Sequence, residues 1–280
     1  KPRSRRRREA TDSDAKMIDL INEGHIRKGI WIGKSFGIAD WSEHVVNQMK
    51  SKHPQIDDQL AEDDDEEQAD IQLPMLDLVV RSADVTKGIG PRGLHPHYIQ
   101  SLATTDSDDA RQSYAYWTLM GKQYLAGTMP YCFRELLSAG ILTPLNKSPP
   151  RVGEQVDARP VRAEDADTSL WCKAFCKSTS SVVRNIVCPE QLSVGIRSGV
   201  EMAIHGFRLK IEEAQQSGLP RAMVKIDISN AHNTFSRRRC LETVDSLVVE
   251  HPEMKPIATA LRSILALKPK IYMRNGSKNF

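Results

Sequence analysis

Residues 222–239 read AMVKIDISNAHNTFSRRR. The run 223–226 is β-prone and predicts a short strand that ends at Asp227. A small polar turn follows, and Ser236 is suitably placed to cap the next helix. A carboxylate at the carboxyl end of a strand is a common ligand for a divalent metal that faces a phosphate. A lone Asp at this position more often only ends the strand and begins a turn, so both interpretations of Asp227 stay open here.

Four short motifs precede this stretch, and their order is more specific than any one of them. They are Gly90-Pro91-Arg92-Gly93-Leu94, LTPLNK at 142–147, ARPV at 158–161 and PEQLSVG at 189–195. Together with the run Asp227-x-x-Asn230-Ala231-x-Asn233-x-x-x-Arg237, they resemble the reverse transcriptases of non-LTR (LINE-type) retrotransposons over residues 84–280. In that family the Asp of the last run binds the catalytic metal ions.

The composition and this resemblance together predict an α+β fold. A mostly helical N-terminal region is expected to precede the fingers and the start of the antiparallel palm of a right-hand polymerase. The expected divisions are a basic disordered arm at 1–13, a helical region at 14–56, an acidic linker at 57–75, a helical region at 76–140, fingers at 141–220 and a partial palm at 221–280.

Apolar periodicity predicts several helices and one late strand. The helices are expected at 110–126, 167–186, 199–216, 239–250 and 255–267, and the strand at 268–274. Asp108 and Asp109 form a pair like the second metal motif of polymerases, but they precede Asp227, whereas the family has that pair after it. Acidic side chains suit the positive end of a helix, so we expect Asp108 and Asp109 to open a helix.

Two strand-like runs joined by a polar loop resemble the hairpin that closes over the incoming nucleotide in this family. The resemblance implies that Lys147 and Arg159 contact the phosphates of a dNTP, Lys as a point charge and Arg as a bidentate fork. Arg151 and Arg162 are alternatives for the same role, since the loop departs from the family's Lys-x-Gly-rich pattern. Ordinary surface cations beside a turn remain the other interpretation.

The resemblance also implies a site for two Mg²⁺ ions in the complete enzyme. Asp227 would bridge both ions as the catalytic residue, and the carbonyl of Ile228 would complete a coordination position. Ala231 and His232 would lie at the nucleotide. His232 replaces the Phe or Tyr that packs under the sugar in related enzymes. A smaller polar ring there is compatible with weaker discrimination against ribonucleotides, with a hydrogen bond, and with a decayed copy.

The implied macromolecular partners are an RNA template and a DNA primer. Gln191, in the segment after the Pro189 break, is the predicted contact to a backbone or base. Arg237 is the second predicted nucleic-acid contact. Its position closes the run that begins at Asp227.

The net charge of +3 hides an asymmetry along the chain. Residues 1–8 read KPRSRRRR, whereas residues 57–70 hold nine acidic and no basic side chains. The remainder is therefore more basic than the total suggests, and nucleic acid is an admissible partner. Residues 1–8 are equally compatible with a nuclear-import or phosphate-binding arm and with a solvated terminus.

The cysteine content predicts a reducing compartment, nuclear or cytoplasmic. The five cysteines are scattered and odd in number, and no secretory apolar segment precedes them, so no disulfide partner is expected. Cys172 and Cys176 are spaced to meet on one helix face, where packing is expected rather than a zinc site. No apolar run reaches the roughly 18 residues that span a bilayer, so no membrane partner is expected.

The expected function is that of a reverse transcriptase fragment which transfers nucleotides to a primer 3′-hydroxyl in the complete protein. After Asp227 the sequence contains no aromatic-x-Asp-Asp motif. We therefore expect the chain alone to lack polymerase activity. The first alternative is a non-catalytic nucleic-acid-binding remnant of a retroelement protein, and the second is an unrelated α+β domain.

Overall fold

The computed structural model describes residues 17–19, 21–22, 30, 32, 35–53, 70–85, 89–149, 153–218, 220, 222, 224, 226–228, 230–275 and 278–279. The helices there are α1 (Glu43–Lys52), α2 (Leu76–Arg81), α3 (Pro96–Thr104), α4 (Asp108–Ala126), α5 (Tyr131–Leu137), α6 (Ala166–Val187), α7 (Gly199–Ser217), α8 (Ala231–Thr234), α9 (Arg237–Glu250) and α10 (Lys255–Leu265), with a 3₁₀ turn at Pro252–Met254. The strands are β1 (Gly140–Asn146), β2 (Ala158–Glu164), β3 (Ile271–Asn275) and β4 (Lys278–Asn279).

The fold is α+β, with helices predominating over one sheet of order β2-β1-β3-β4. Strands β3 and β4 are antiparallel, with Arg274 opposite Asn279. The chain divides into two compact units, of which the first comprises Lys1–His53 and Leu142–Val161 and the second Pro54–Ile141 and Arg162–Phe280. Strands β1 and β2 each continue from one unit into the other along the chain.

The first unit is built on α1 and the distal part of the β1–β2 hairpin. Ser42 caps α1, because its Oγ accepts a hydrogen bond from the N–H of Val45 at 3.3 Å. Val45 and Met49, one turn apart, are buried, as the apolar face of a helix predicts. The backbone before α1 contacts β1, where the N–H of Ala39 donates to the carbonyl of Pro144 at 2.9 Å.

The core of the second unit centres on the aromatic side chains of α4 and α6. Trp171 is fully buried, and its ring centroid lies 5.3 Å from that of Trp117 and 5.9 Å from that of Tyr124. Gly121 allows this packing, since a Cβ at that position would overlap the indole of Trp171. Helix α4 ends at Gly127, whose φ of 79° is the left-handed conformation that glycine adopts without strain.

The predicted helices are confirmed with small shifts at their ends. Helix α4 begins at Asp108 rather than 110, because Ser107 Oγ accepts from the N–H of Ala110 at 3.1 Å and both acidic residues lie in the first turn. Ser236 caps α9 as predicted, accepting from the N–H of Arg239 at 3.2 Å. Both strands of the predicted hairpin are confirmed, and β2 continues to Glu164, beyond its predicted end.

Two predicted boundaries differ from the structure. Ile71 and Leu73 are buried in the core of the second unit, so packed structure begins before the predicted linker end at residue 75. The predicted strand before Asp227 is not formed at its described residues. Val224 and Ile226 are irregular and 78% and 82% exposed. A strand needs a neighbour for its backbone hydrogen bonds, and the described residues supply none beside this segment.

Several predictions concern residues outside the described ranges. These are the basic arm at 1–13, residues 57–69 of the acidic linker, and Met223 and Lys225 of the predicted strand. In the predicted helical region at 14–56, α1 confirms its last helix. The other described helical residues of that region are 17–19, 21–22, 30 and 32.

Candidate functional site

Lys147 and Asp157 close the loop that joins β1 to β2. The N–H of Lys147 donates to the carbonyl of Asp157 at 3.0 Å. Its Nζ forms an ion pair with Oδ2 of the same aspartate at 2.6 Å. The predicted phosphate-binding lysine is therefore held by an acidic residue, and both side chains are partly exposed.

Helix α1 adds two side chains that sequence reasoning did not identify. Lys52 Nζ lies 2.8 Å from Oδ1 of Asp157 and donates to the carbonyl of Ala158 at 2.6 Å. Gln48 Nε2 donates to Asp157 Oδ1 at 3.3 Å, and its Oε1 accepts from the N–H of Ala158 at 2.8 Å. The spacing of four places Gln48 and Lys52 on one face of the helix. No local sequence signal, however, indicated a partner more than a hundred residues away.

The lysines determine the ionisation of Asp157. Partial burial alone would raise the pKa of its carboxyl. Hydrogen bonds from Lys147 and then Lys52 outweigh burial and hold that pKa below its ordinary value. Asp157 is therefore charged at neutral pH and keeps both ammonium groups beside it.

Of the three arginines considered for phosphate contact, Arg159 is the most accessible among those described. It is exposed on β2, next to the buried Ala158, and no carboxylate of the described residues forms an ion pair with it. Arg162 belongs to the second unit. There its Nη2 donates to the carbonyl of Ser138 and lies 3.4 Å from Oε1 of Glu164. Arg151 lies outside the described residues.

Asp227 and Ile228 are exposed and lie in an irregular segment before α8. Asn230 turns the chain into α8 with a φ of 55°. Its Oδ1 accepts from Nδ2 of Asn233 at 2.9 Å, so the Asn-Ala-x-Asn run forms a self-supported turn. Ala231 begins α8 and is exposed. The His232 side chain lies outside what the structure describes.

The residues present do not fit two Mg²⁺ ions. Each ion needs about six oxygen ligands, and a two-metal site shares several carboxylates. Asp227 and the carbonyl of Ile228 provide one carboxylate and one carbonyl. Across the described ranges no group of three or more His, Cys, Asp or Glu side chains is placed to hold a metal ion. We therefore derive no chemical step through a metal at this site.

The two predicted nucleic-acid contacts both have intramolecular partners. Gln191 Oε1 accepts from the N–H and Oγ of Ser193, at 2.9 and 2.6 Å, and so shapes the turn after α6. Arg237 Nη1 donates to the carbonyls of Leu265 and Leu267, both at 2.8 Å, and satisfies acceptors at the end of α10. Burial, with a smaller contribution from Arg162, lowers the pKa of Arg237.

The Gly90–Leu94 motif is anchored on two buried aspartates at the start of α6. Asp165 accepts from the N–H groups of Arg92 and Leu94, at 3.1 and 3.0 Å. Asp167 accepts from Arg92 Nη2 at 2.8 Å and from Trp117 Nε1 at 2.7 Å. Sequence reasoning did not identify these carboxylates.

The geometry of the motif explains why Gly90 and Gly93 are glycines. A Cβ on Gly90 would overlap the backbone N of Asp165, and Gly93 has a φ of 76°. Any other residue would be strained at either position. The motif is therefore a backbone cradle for the carboxylate of Asp165, which directly follows β2.

No protein family, curated protein or solved structure matches this chain. In the described residues no helix is long and apolar enough to cross a membrane. The five cysteines are free thiols. Exposed thiols are Cys132, Cys176 and Cys188.

Proposed function

We propose that this chain forms the fingers and the opening of the palm of an RNA-directed DNA polymerase of the non-LTR retrotransposon type. The observation that carries the proposal is the hairpin β1–β2, with Lys147 at its mouth and Arg159 exposed on its second strand. This hairpin precedes Asp227 in the order that the resembled family shows. In this proposal the two cations bind the triphosphate of a dNTP.

Asp227 is the metal-binding carboxylate of the proposed site. Its exposure and its place before the turn of Asn230 keep the carboxylate accessible to a metal ion. The only later aspartate is Asp245, which is paired with Arg262 at 2.5 Å within the second unit. A two-metal site needs further carboxylates beside Asp227, and no group of His, Cys, Asp or Glu side chains among the described residues supplies them, so the chain alone is expected to be inactive.

The proposed partners are an RNA template and a DNA primer, and the proposed compartment is the nucleus or the cytoplasm. Five free cysteines support a reducing compartment. Gln191 and Arg237 remain the predicted nucleic-acid contacts. For Arg237 this role has to be compatible with its bonds to the end of α10.

The test begins with the source transcript, sequenced past the codon for Phe280. If the frame continues, the encoded protein is purified and assayed for Mg²⁺-dependent dNTP incorporation on a DNA-primed RNA template. Asp227→Ala is expected to abolish incorporation. Asp106→Ala is the matched control, because Asp106 is an exposed aspartate far from the site in sequence. It is expected to retain wild-type incorporation.

Two results would overturn the proposal. One is incorporation that persists in Asp227→Ala, which would remove Asp227 from the site. The other is a frame that stops directly after Phe280 in a protein that binds nucleic acid without Mg²⁺- or dNTP-dependent change. That second result would establish the non-catalytic nucleic-acid-binding alternative.

A further inference from the structure

Three side chains from two elements of the first unit converge on the carboxylate of Asp157. Lys52 and Gln48 come from α1, and Lys147 follows β1. We propose that Lys52, Gln48 and Lys147 form a polyphosphate site, and that Asp157 occupies the anion's place in the free protein. This proposal rests on the proposed function for its ligand, a nucleoside triphosphate. It adds a contribution from α1, which precedes the region that resembles the polymerase family.

The geometry of the cluster is that of an anion site. Lys52 and Lys147 approach different oxygens of one carboxylate, at 2.8 and 2.6 Å, and Gln48 donates a neutral hydrogen bond to the first of these oxygens. The cluster thus brings two ammonium groups to a single carboxylate. A phosphate group presents three oxygens and more negative charge than a carboxylate, so it would interact with both ammonium groups more strongly.

Solvent access and the low cost of displacing Asp157 both favour replacement of its carboxylate by a bound phosphate. The side chains of Lys147 and Asp157 are 37% and 50% exposed, so an anion can approach from solvent. Ion pairs at such exposure are weak, because water competes for both partners. Asp157 can therefore leave the lysines at small cost. Arg159, exposed nearby in sequence on β2, adds positive charge to the approach.

Backbone contacts keep Lys52 and Gln48 in position when Asp157 is displaced. Lys52 also donates to the carbonyl of Ala158 at 2.6 Å, and Gln48 accepts from the N–H of the same residue. Both contacts are independent of the Asp157 side chain. The site is thus preorganised by α1 and β2, and binding of the ligand costs less side-chain entropy.

The test measures binding of inorganic tripolyphosphate to the full chain by calorimetry at low ionic strength. Lys52→Ala and Lys147→Ala are each expected to weaken binding roughly ten-fold, the loss of one charge-assisted hydrogen bond. Asp157→Asn is expected to tighten binding several-fold, since it removes the competing charge. The matched control is Lys210→Ala, a lysine on α7 paired with Glu213, which is expected to bind as wild type.

Unchanged binding in Lys52→Ala, or weakened binding in Asp157→Asn with a wild-type melting curve, would overturn the site. The contacts around Asp157 would then have only a structural role. If Asp157→Asn lowers the melting temperature, the titration is repeated at a temperature where the wild type and the variant are both folded. That titration decides between a polyphosphate site and a structural role. The outcomes are separable from the proposed function. Polymerase activity without tripolyphosphate binding would overturn this inference alone. Tripolyphosphate binding by the chain, with no polymerase activity in the protein encoded by the continued reading frame, would overturn only the proposed function.

Discussion

Arg92 Nη2 donates to Oδ2 of Asp167 at 2.8 Å, across 75 positions of the sequence. The same guanidinium lies 3.3 Å, through Nε, from the fully buried Asp165. One arginine therefore contacts two carboxylates that have almost no contact with water. Because Asp165 follows β2 directly, this contact attaches the end of that strand to the Gly90–Leu94 motif.

Replacement of Arg92 by Met is expected to destabilise the protein by about 3–5 kcal/mol, because two buried carboxylates lose their counter-charge. The measurement is the free energy of unfolding in urea. Arg111→Met is the control, since Arg111 pairs only with exposed aspartates in the described structure and its removal should leave the midpoint almost unchanged. Equal midpoints for the two variants would show that Arg92 does not support the core.

Two glycine-to-alanine changes in helices are expected to change the free energy of unfolding in opposite directions. Gly121→Ala forces a methyl group into the indole of Trp171, and such overpacking costs about 1–3 kcal/mol. Gly206→Ala on α7 meets nothing within 4 Å and should gain about 0.5–1 kcal/mol of helix stability. Thermal unfolding of both variants measures this. A stabilised Gly121→Ala would contradict the close packing of α4 and α6.

Cys172 and Cys176 should differ in reactivity although they lie one turn apart on α6. Burial, with Glu164 adding to it, raises the pKa of the Cys172 thiol to about 12, so at pH 8 only about one thiol in 10⁴ is ionised. Cys176 is exposed. Brief alkylation of the native protein with N-ethylmaleimide, read by mass spectrometry, should label Cys176 and leave Cys172 unlabelled. Equal labelling would mean that α6 is not packed as described.

The stability of the protein should fall between about pH 10 and pH 12, partly through Tyr124. Burial raises the pKa of this phenol from 10.0 to about 12, although its hydrogen bond with Ser138 opposes the shift. In that window the folded state keeps the proton that the unfolded state releases, so rising pH favours unfolding. Tyr124→Phe should reduce the slope of unfolding free energy against pH, whereas Tyr116→Phe, an exposed tyrosine, should not. Identical slopes for wild type and Tyr124→Phe would refute this assignment.

In a complete polymerase, His232→Phe is expected to strengthen the preference for dNTP over rNTP, because a larger ring packs under the sugar and excludes a 2′-hydroxyl. The measurement is the ratio of kcat/KM for the two substrates. An unchanged ratio, with incorporation of dNTP intact, would remove His232 from the sugar-contacting position.

Local features of the fold were predictable from sequence, and long-range ones were not. The cap at Ser236 was readable because a cap bonds an N–H three residues away. The prediction of a strand before Asp227 was wrong at Val224 and Ile226, although the sequence there is β-prone. Strand formation depends on a neighbouring strand, which local propensity does not report.

The candidate site likewise has residues that were predicted from sequence and contacts that were not. The resemblance to the polymerase family selected Lys147, Arg159 and Asp227. It did not indicate that Lys147 shares a carboxylate with Lys52, or that Arg237 is engaged at the end of α10. Each of those facts depends on where a distant side chain packs.

By itself, the sequence determined the five long helices, the cap at Ser236 and the two strands of the hairpin, because periodicity and capping act within a few residues. The tertiary structure alone decided that Asp157 lies between two lysines and that Arg92 serves two buried aspartates. These contacts join residues separated by as many as 105 positions. They form only when the packing of helices and strands brings the side chains together, and short-range sequence patterns carry no record of that packing.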